Sequence, residues 1–383
     1  MPLLVREMEV EHYRSLRRIR FPAERLTVFQ GANGVGKTNL YRALQLIQAA
    51  AAGTLARELA AEGGMPSVFW AGPRPARGPA RIRLAVTLAP DEAVPGSGRF
   101  RYEVEVGMKA PTEAALPFEP LVKLERVTFL GSRRPVILLE RRGPAITAMD
   151  AEGQRDHPDI ELMPSETALS AVRDPARYPD LDVVRQTLLD WRFYHDLRTD
   201  PASPIRRPCL AVATPTLASD GSDLAAVFAT LMFIREDTTD LDRAIEDAFP
   251  GAILEVPSPG QTASFGVRFA DFPHRVFDAA ELSDGTLRYL SLMGVLLGYR
   301  LPAFIALNEP EASLHPDLLA PLARLIARAA QRTQVWLVSH SEALAAALAE
   351  AGGVTPRIVV KRDGATCIEG LRVGGNFADD DEA

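Results

Sequence analysis

Residues Gly31-Ala32-Asn33-Gly34-Val35-Gly36-Lys37-Thr38 follow the pattern glycine, four residues, Gly-Lys-Thr, and no other stretch of the 383 residues constrains the fold as tightly. A loop that wraps a triphosphate must offer its backbone N–H groups at close range. Gly31, Gly34 and Gly36 remove the side chains that would prevent it. Lys37 is placed to reach the β and γ oxygens as a point charge, and the Thr38 hydroxyl to ligate Mg²⁺. Asn33 and Asn39 complete the candidate nucleotide-binding set. The flanks agree. An apolar run at 26–30 stops at Gly31, and Leu40, Leu44 and Ile47 recur at helical spacing towards a stop at Gly53. The helix start near Lys37 aims its positive dipole end at the phosphates.

Beyond this loop the pattern changes several times. Segments 81–88, 100–106, 121–129, 135–140 and 145–149 alternate or run β-branched between turns, which predicts an antiparallel meander. Residues 150–250 carry apolar stripes at Leu181, Val184, Leu188 and Trp191 and at Leu224, Val227, Phe228 and Leu231, which predict a mostly helical region. From 281 onwards helix and buried strand (304–307, 335–338) alternate, the signature of a parallel sheet. The expected division is residues 1–80 with the phosphate loop, an antiparallel β subdomain at 81–150, a helical inserted lobe at 151–280, a C-terminal lobe at 281–372 and an acidic tail at 373–383. The net charge of −7 excludes a histone-like polycation, and two cysteines make neither a disulfide framework nor a zinc cluster. The most apolar run, 290–299, is half the length of a membrane span. The N-terminus carries Arg6, Glu7, Glu9 and Glu11 where a signal peptide needs an apolar core, so a cytoplasmic protein without a membrane partner is expected.

Three later motifs narrow the class. Leu282-Ser283-Asp284-Gly285-Thr286 opens an apolar helix, residues 304–310 form a buried strand that ends in Asn308-Glu309-Pro310, and residues 335–339 form another that ends at His340. With Tyr13-Arg14-Ser15-Leu16 ahead of the phosphate loop, the chain resembles the ABC-type ATPases. Within them it resembles the soluble SMC/RecF branch that includes OLD-family ATPase domains and many small bacterial ATPases of the AAA/ABC kind. The resemblance implies an α/β P-loop NTPase fold, an ABC-type head carrying the β subdomain and the helical lobe. It also implies ATP and Mg²⁺ as ligands and an ATP-dependent homodimer. Ser283 and Gly285 then match the signature that meets the γ-phosphate held by a second copy, and residues 308–316 match the Walker B and D-loop run.

Glu309 is the expected catalytic carboxylate that orients and polarises the attacking water, with Lys37 and His340, the switch histidine, beside it. Asn308 stands where the branch normally has an aspartate supporting Mg²⁺, which keeps an acceptor but removes a charge and implies slow turnover. Arg14 is a candidate nucleotide contact. Arginine clusters at Arg14/Arg17/Arg18/Arg20, Arg74/Arg77/Arg81/Arg83, Arg133/Arg134 with Arg141/Arg142, and Arg206/Arg207 nominate DNA as a partner. Two functions follow as expectations: an ATP-hydrolysing dimer acting in DNA repair, genome maintenance or defence, or a slow ATP switch that recruits a separate effector protein without acting on DNA.

Overall fold

The computed structural model describes residues 3–72, 81–91, 98–108, 118–131, 134–372 and 374–377. Arg74, Arg77, Arg133 and the acidic run at 379–382 of the expected tail lie outside the described residues. The chain divides into two compact units, one of Met1–Glu24, Gly31–Trp191 and Arg357–Ala383, the other of Arg25–Gln30 and Arg192–Pro356.

Alternation with a period of two builds the first unit. Met8 and Val10 are buried while Glu7, Glu9 and Glu11 point the other way along the strand Leu3–Tyr13. It pairs with Leu16–Pro22 on one side and Arg81–Pro90 on the other. The meander Arg99–Gly107, Leu121–Leu130, Val136–Arg142, Ala145–Met149 and Arg155–Asp156 follows, giving an eight-stranded antiparallel sheet. The helix Lys37–Ala52 packs against the two strands Leu3–Tyr13 and Arg81–Pro90. It ends where Gly53 adopts a left-handed φ of 82°. A C-terminal hairpin, Arg357–Arg362 with Ala365–Ile368, belongs to the same unit.

The other face of the sheet carries a lattice of opposite charges. Arg83 pairs with Glu9 (3.2 Å) and Glu103 (3.0 Å), Arg20 with Glu7 (2.8 Å), Arg18 with Glu11 (3.1 Å) and Arg81 with Glu105 (2.9 Å). Arg101 pairs with Glu9, and Arg126 with Glu140 at 2.5 Å. These are cross-strand pairs, each worth about 0.2–1 kcal/mol. The net field of the face is small because every one of these arginines has a carboxylate beside it.

The second unit is built on four parallel strands in the order Arg192–Tyr194, Phe304–Asn308, Gln334–Ser339, Leu26–Gln30. Their residues read as continuous apolar runs because both faces are buried: Val28, Ile305, Leu307, Val335 and Leu337 share a core with the helices Asp284–Leu297, Leu319–Ala330 and Glu342–Gly352, while Phe29, Phe304 and Trp336 are buried on the opposite face. Leu307 lies across from Leu337, and Leu337 from Val28, in a core that also takes in Phe228, Leu290, Met293 and Leu322. Parallel register sends all the strands' carboxyl ends to one edge, where Asn308 lies across from Val338 and Ser339 from Gln30. Ligands of open α/β sheets bind outside that edge.

Residues 150–250 are less helical than their apolar stripes suggest. Helices occupy Ala168–Ala171, Pro179–Asp190, Leu224–Thr230 and Thr239–Ala248, with turns, a π-helical stretch Leu231–Arg235 and the short strands Arg192–Tyr194 and Cys209–Leu210 between them. The two stripes do form the helices Pro179–Asp190 and Leu224–Thr230, and the Pro- and Gly-containing segments outside them form mostly turns and loops instead. Residues 151–191 fold with the antiparallel sheet, and 192–280 with the parallel one.

Candidate functional site

The expected site residues fall into two sets, one in each unit. In the first, Lys37 opens the helix Lys37–Ala52 and Thr38 is exposed in its first turn. Lys37 Nζ donates to the carbonyls of Gly31 (2.6 Å) and Ala32 (2.8 Å), which ties the ammonium to the loop that precedes it. Gly36 has φ 101°, a conformation that costs an L-residue strain. A Cβ there would also lie 1.9 Å from Thr366 Oγ1 and 2.5 Å from Ser15 Oγ, so glycine is required twice over.

Those two hydroxyls form a clamp that motif reading misses. Asn39 Nδ2 donates to Ser15 Oγ (2.7 Å), and Thr366 Oγ1 donates to the carbonyl of Val35 inside the loop (2.7 Å). A threonine hydroxyl has one proton, so the Ser15–Thr366 bond of 2.6 Å must be donated by Ser15. Thr366 N adds a bond to Ser15 O at 2.8 Å. The phosphate loop is thus braced by the hairpin Arg357–Arg362 with Ala365–Ile368. Arg14, expected near the nucleotide, is instead held by Glu62 through Nε (2.9 Å) and Nη2 (2.7 Å), and Tyr13 OH donates to the same carboxylate. Burial, followed by the Glu62 charge, pushes the Tyr13 phenol well above its ordinary range.

In the second unit Ser283 is the N-cap of the helix Asp284–Leu297, its Oγ accepting from Thr286 N at 3.2 Å. Gly285 approaches the D-loop run so closely that a Cβ would lie 2.9 Å from Ser313 O. Ser283, Gly285, Thr286, Ser313, Leu314, His315 and Asp317 border a cavity of about 660 Å³. The loop before Ser283 is gripped by Arg206, which donates to the carbonyls of Leu282 (2.8 Å), Ala280 (3.0 Å) and Thr199 (2.7 Å) and pairs with Asp284 at 2.7 Å. Arg206 was nominated for DNA; its contacts are those of a structural brace.

Glu309 sits at the end of the strand Phe304–Asn308 with φ 48°, a left-handed conformation rare for a residue with a side chain. Three bonds hold it: its N–H donates to Val338 O (2.8 Å), and its carbonyl accepts from Ala312 N (3.1 Å) and Arg288 Nη2 (3.3 Å). Arg288 is a buried residue of the signature helix that also donates to Leu197 O at 2.9 Å. Burial lowers its pKa, against the opposing charges of Asp196 and Glu311. The structure thus connects the start of that helix to the backbone of Glu309, a link carried by a residue outside the motif. His340 Nδ1 is 3.6 Å from Glu309 Oε1 and 3.4 Å from Glu311 Oε1. Asn308 Oδ1 is buried with no hydrogen-bond partner, an acceptor of the kind that a hydrated Mg²⁺ uses. Asn308, Glu309 and His340 therefore meet at the carboxyl edge of the parallel sheet, with Ser283 and Gly285 along the neighbouring D-loop run.

This fold and motif set are those of a P-loop NTPase with an ABC-type, SMC-head architecture, as expected from the sequence. Over 97% of its length the chain is similar to the solved structure "Crystal structure of the SmcHead bound to the C-winged helix domain of ScpA", covering 99% of that chain with a TM-score of 0.54 and 14% identity. Two further Smc head domains, from Pyrococcus furiosus (TM-score 0.52, 14% identity, 96% of each chain) and Pyrococcus yayanosii (TM-score 0.52, 10% identity, 98% of each chain), share the fold. The family model described as "AAA domain, putative AbiEii toxin, Type IV TA system" matches residues 150–346, just over half of the chain, and the chain belongs to that family. No curated protein matches it. Among the described residues no helix is long and apolar enough to cross a membrane.

Proposed function

We propose that the protein is an ATP-binding ATPase that closes as a homodimer around ATP. Gly31, Asn33, Gly34, Gly36, Lys37, Thr38 and Asn39 take the phosphates of one nucleotide, and Ser283 and Gly285 of a second copy meet the γ-phosphate. The observation that carries this reading is the cavity of about 660 Å³ at the start of the signature helix. Its polar border of Ser283, Thr286, Ser313 and His315 suits an incoming anion at a helix N-terminus. Glu309 orients and polarises the attacking water, and His340 lies beside it. Thr38 is the proposed Mg²⁺ ligand of the phosphate loop and Asn308 the proposed acceptor at the sheet edge; Mg²⁺, when bound, would neutralise charge that develops on the β and γ oxygens. With Asn308 contributing no charge, turnover is slow.

A specific observation favours the effector-recruiting switch over direct action on DNA. Arg18, Arg20, Arg81 and Arg83 are paired with glutamates across the sheet face, and Arg206 is committed to backbone carbonyls. Among the described residues few of the nominated charges remain to neutralise phosphates. The family's description as a putative AbiEii toxin of a type IV TA system supports a role in defence. Light scattering on Glu309→Gln tests the reading: a dimer that forms only with ATP and Mg²⁺ is expected, and a monomer under all conditions would refute it. ATP turnover that is unchanged by duplex DNA at low salt supports the switch, whereas stimulation by DNA would reverse that preference.

A further inference from the structure

Glu311 belongs to the Asn308–Pro316 run, yet its side chain is not exposed as those of Ser313, His315 and Pro316 are. It is buried, and Oε1 accepts from Ser339 Oγ (2.6 Å), His340 N (3.1 Å) and Ser341 N (3.3 Å). The same oxygen is 3.4 Å from His340 Nδ1, while Oε2 is buried without a hydrogen-bond partner. One carboxylate therefore holds the whole turn from the strand Gln334–Ser339 into the helix Glu342–Gly352, and touches the imidazole at its centre.

We propose that Glu311 is a positioning residue for His340: with Glu309 it presents carboxylate oxygens to Nδ1, fixes the proton on that nitrogen, and leaves Nε2 as the nitrogen that meets water or a phosphate oxygen. The inference rests on the reading of Glu309 and His340 as site residues. Which imidazole nitrogen carries the proton is set by the partner of the other, and carboxylates facing Nδ1 select the Nδ1–H form. A neutral side chain would brace the Ser339–Ser341 turn with the same three bonds. A buried carboxylate costs more than an amide and leaves an oxygen unpaired, so its charge marks a task beyond bracing. Arg288, the buried guanidinium of the helix Asp284–Leu297, feels the opposing charge of Glu311, although burial lowers its pKa overall.

Glu311→Gln keeps an acceptor for the turn and removes the charge. In full-length protein, ATP affinity and KM are expected to stay within about twofold, while kcat falls about 10- to 100-fold, the usual cost of losing such a partner. The ¹⁵N spectrum of histidine-labelled protein, with the His340 signal assigned by its loss in His340→Gln, should show Nδ1–H in the wild type and a mixture of both tautomers in Glu311→Gln. An unchanged His340 tautomer in the variant would overturn the proposal, as would a loss confined to melting temperature or to KM. Glu311→Asp, which keeps the charge on a shorter arm, is expected to restore the tautomer in part. The spectrum needs no turnover, so a wild type that fails to hydrolyse ATP counts against the proposed function while the tautomer still decides the role of Glu311.

Discussion

Replacing Thr366 by valine should weaken ATP binding although residue 366 lies far along the chain from every nucleotide-binding motif. Valine has the same shape, so no cavity forms at this buried position. What is lost is the hydroxyl that donates to Val35 O at 2.7 Å and accepts from Ser15. A buried carbonyl deprived of its donor costs about 1–3 kcal/mol. The loop escapes that cost by moving towards other partners, and binding must then restore the geometry. At 1.4 kcal/mol per tenfold the expected loss of ATP affinity is between about 5- and 150-fold. Calorimetric titration of ATP into Thr366→Val and Thr366→Ser measures it, with thermal melts alongside. The serine variant keeps the hydroxyl and should bind within about twofold of wild type. Valine protein that binds ATP as tightly as its parent would refute the idea that the C-terminal hairpin pre-organises the phosphate loop.

Asn308→Asp restores the charge missing at the edge of the parallel sheet; it should lower the Mg²⁺ concentration needed for half-maximal turnover and raise the rate, as read from Mg²⁺ titrations of phosphate release. Arg206→Lys should impair ATP-dependent dimerisation with nucleotide affinity unchanged, because one ammonium cannot span the carbonyls of Thr199, Ala280 and Leu282 and the Asp284 carboxylate that the planar fork now serves; normal dimers would remove that residue from the signature's support. Burial pushes the Glu9 carboxyl up, but Arg101, Arg83 and Arg20 outweigh it and hold the group below its ordinary 4.5. A lowered folded-state pKa means stability that is present above about 4.5 and lost as pH falls through the folded value. Melting temperature should therefore drop on acidification below about pH 4.5, and the drop should be shallower in Glu9→Gln.

What the sequence disclosed and what it hid follow from how local each interaction is. The phosphate loop is legible because a triphosphate dictates glycine, lysine and hydroxyl at fixed spacing, and the strand 26–30 and helix Lys37–Ala52 flank it as the pattern requires. The runs 304–307 and 335–338 are legible as buried parallel strands because both faces of each are apolar. Ser15 and Thr366 are invisible as a pair, since nothing in either stretch announces a partner 351 residues away. Arg206 looks like any basic surface residue until the carbonyls around it are seen. The charge lattice did leave a signal: glutamates at 7, 9 and 11 and arginines at 81 and 83 repeat with the period of a strand, which points to cross-strand pairing rather than to a phosphate-binding groove. In the region 151–280 the two apolar stripes do form helices, but they account for only part of it, and the Pro- and Gly-containing segments around them carry no α-helix.

The composite site can be tested by mixing two inactive proteins. Lys37→Ala lacks the phosphate-loop charge, and Ser283→Arg blocks the signature, so neither should hydrolyse ATP alone. In an equal mixture, heterodimers pair the intact loop of one copy with the intact Ser283 of the other, and about a quarter of the wild-type rate should return. A mixture as inactive as its components, with both proteins folded and Ser283→Arg still binding ATP, would contradict a site shared between two copies.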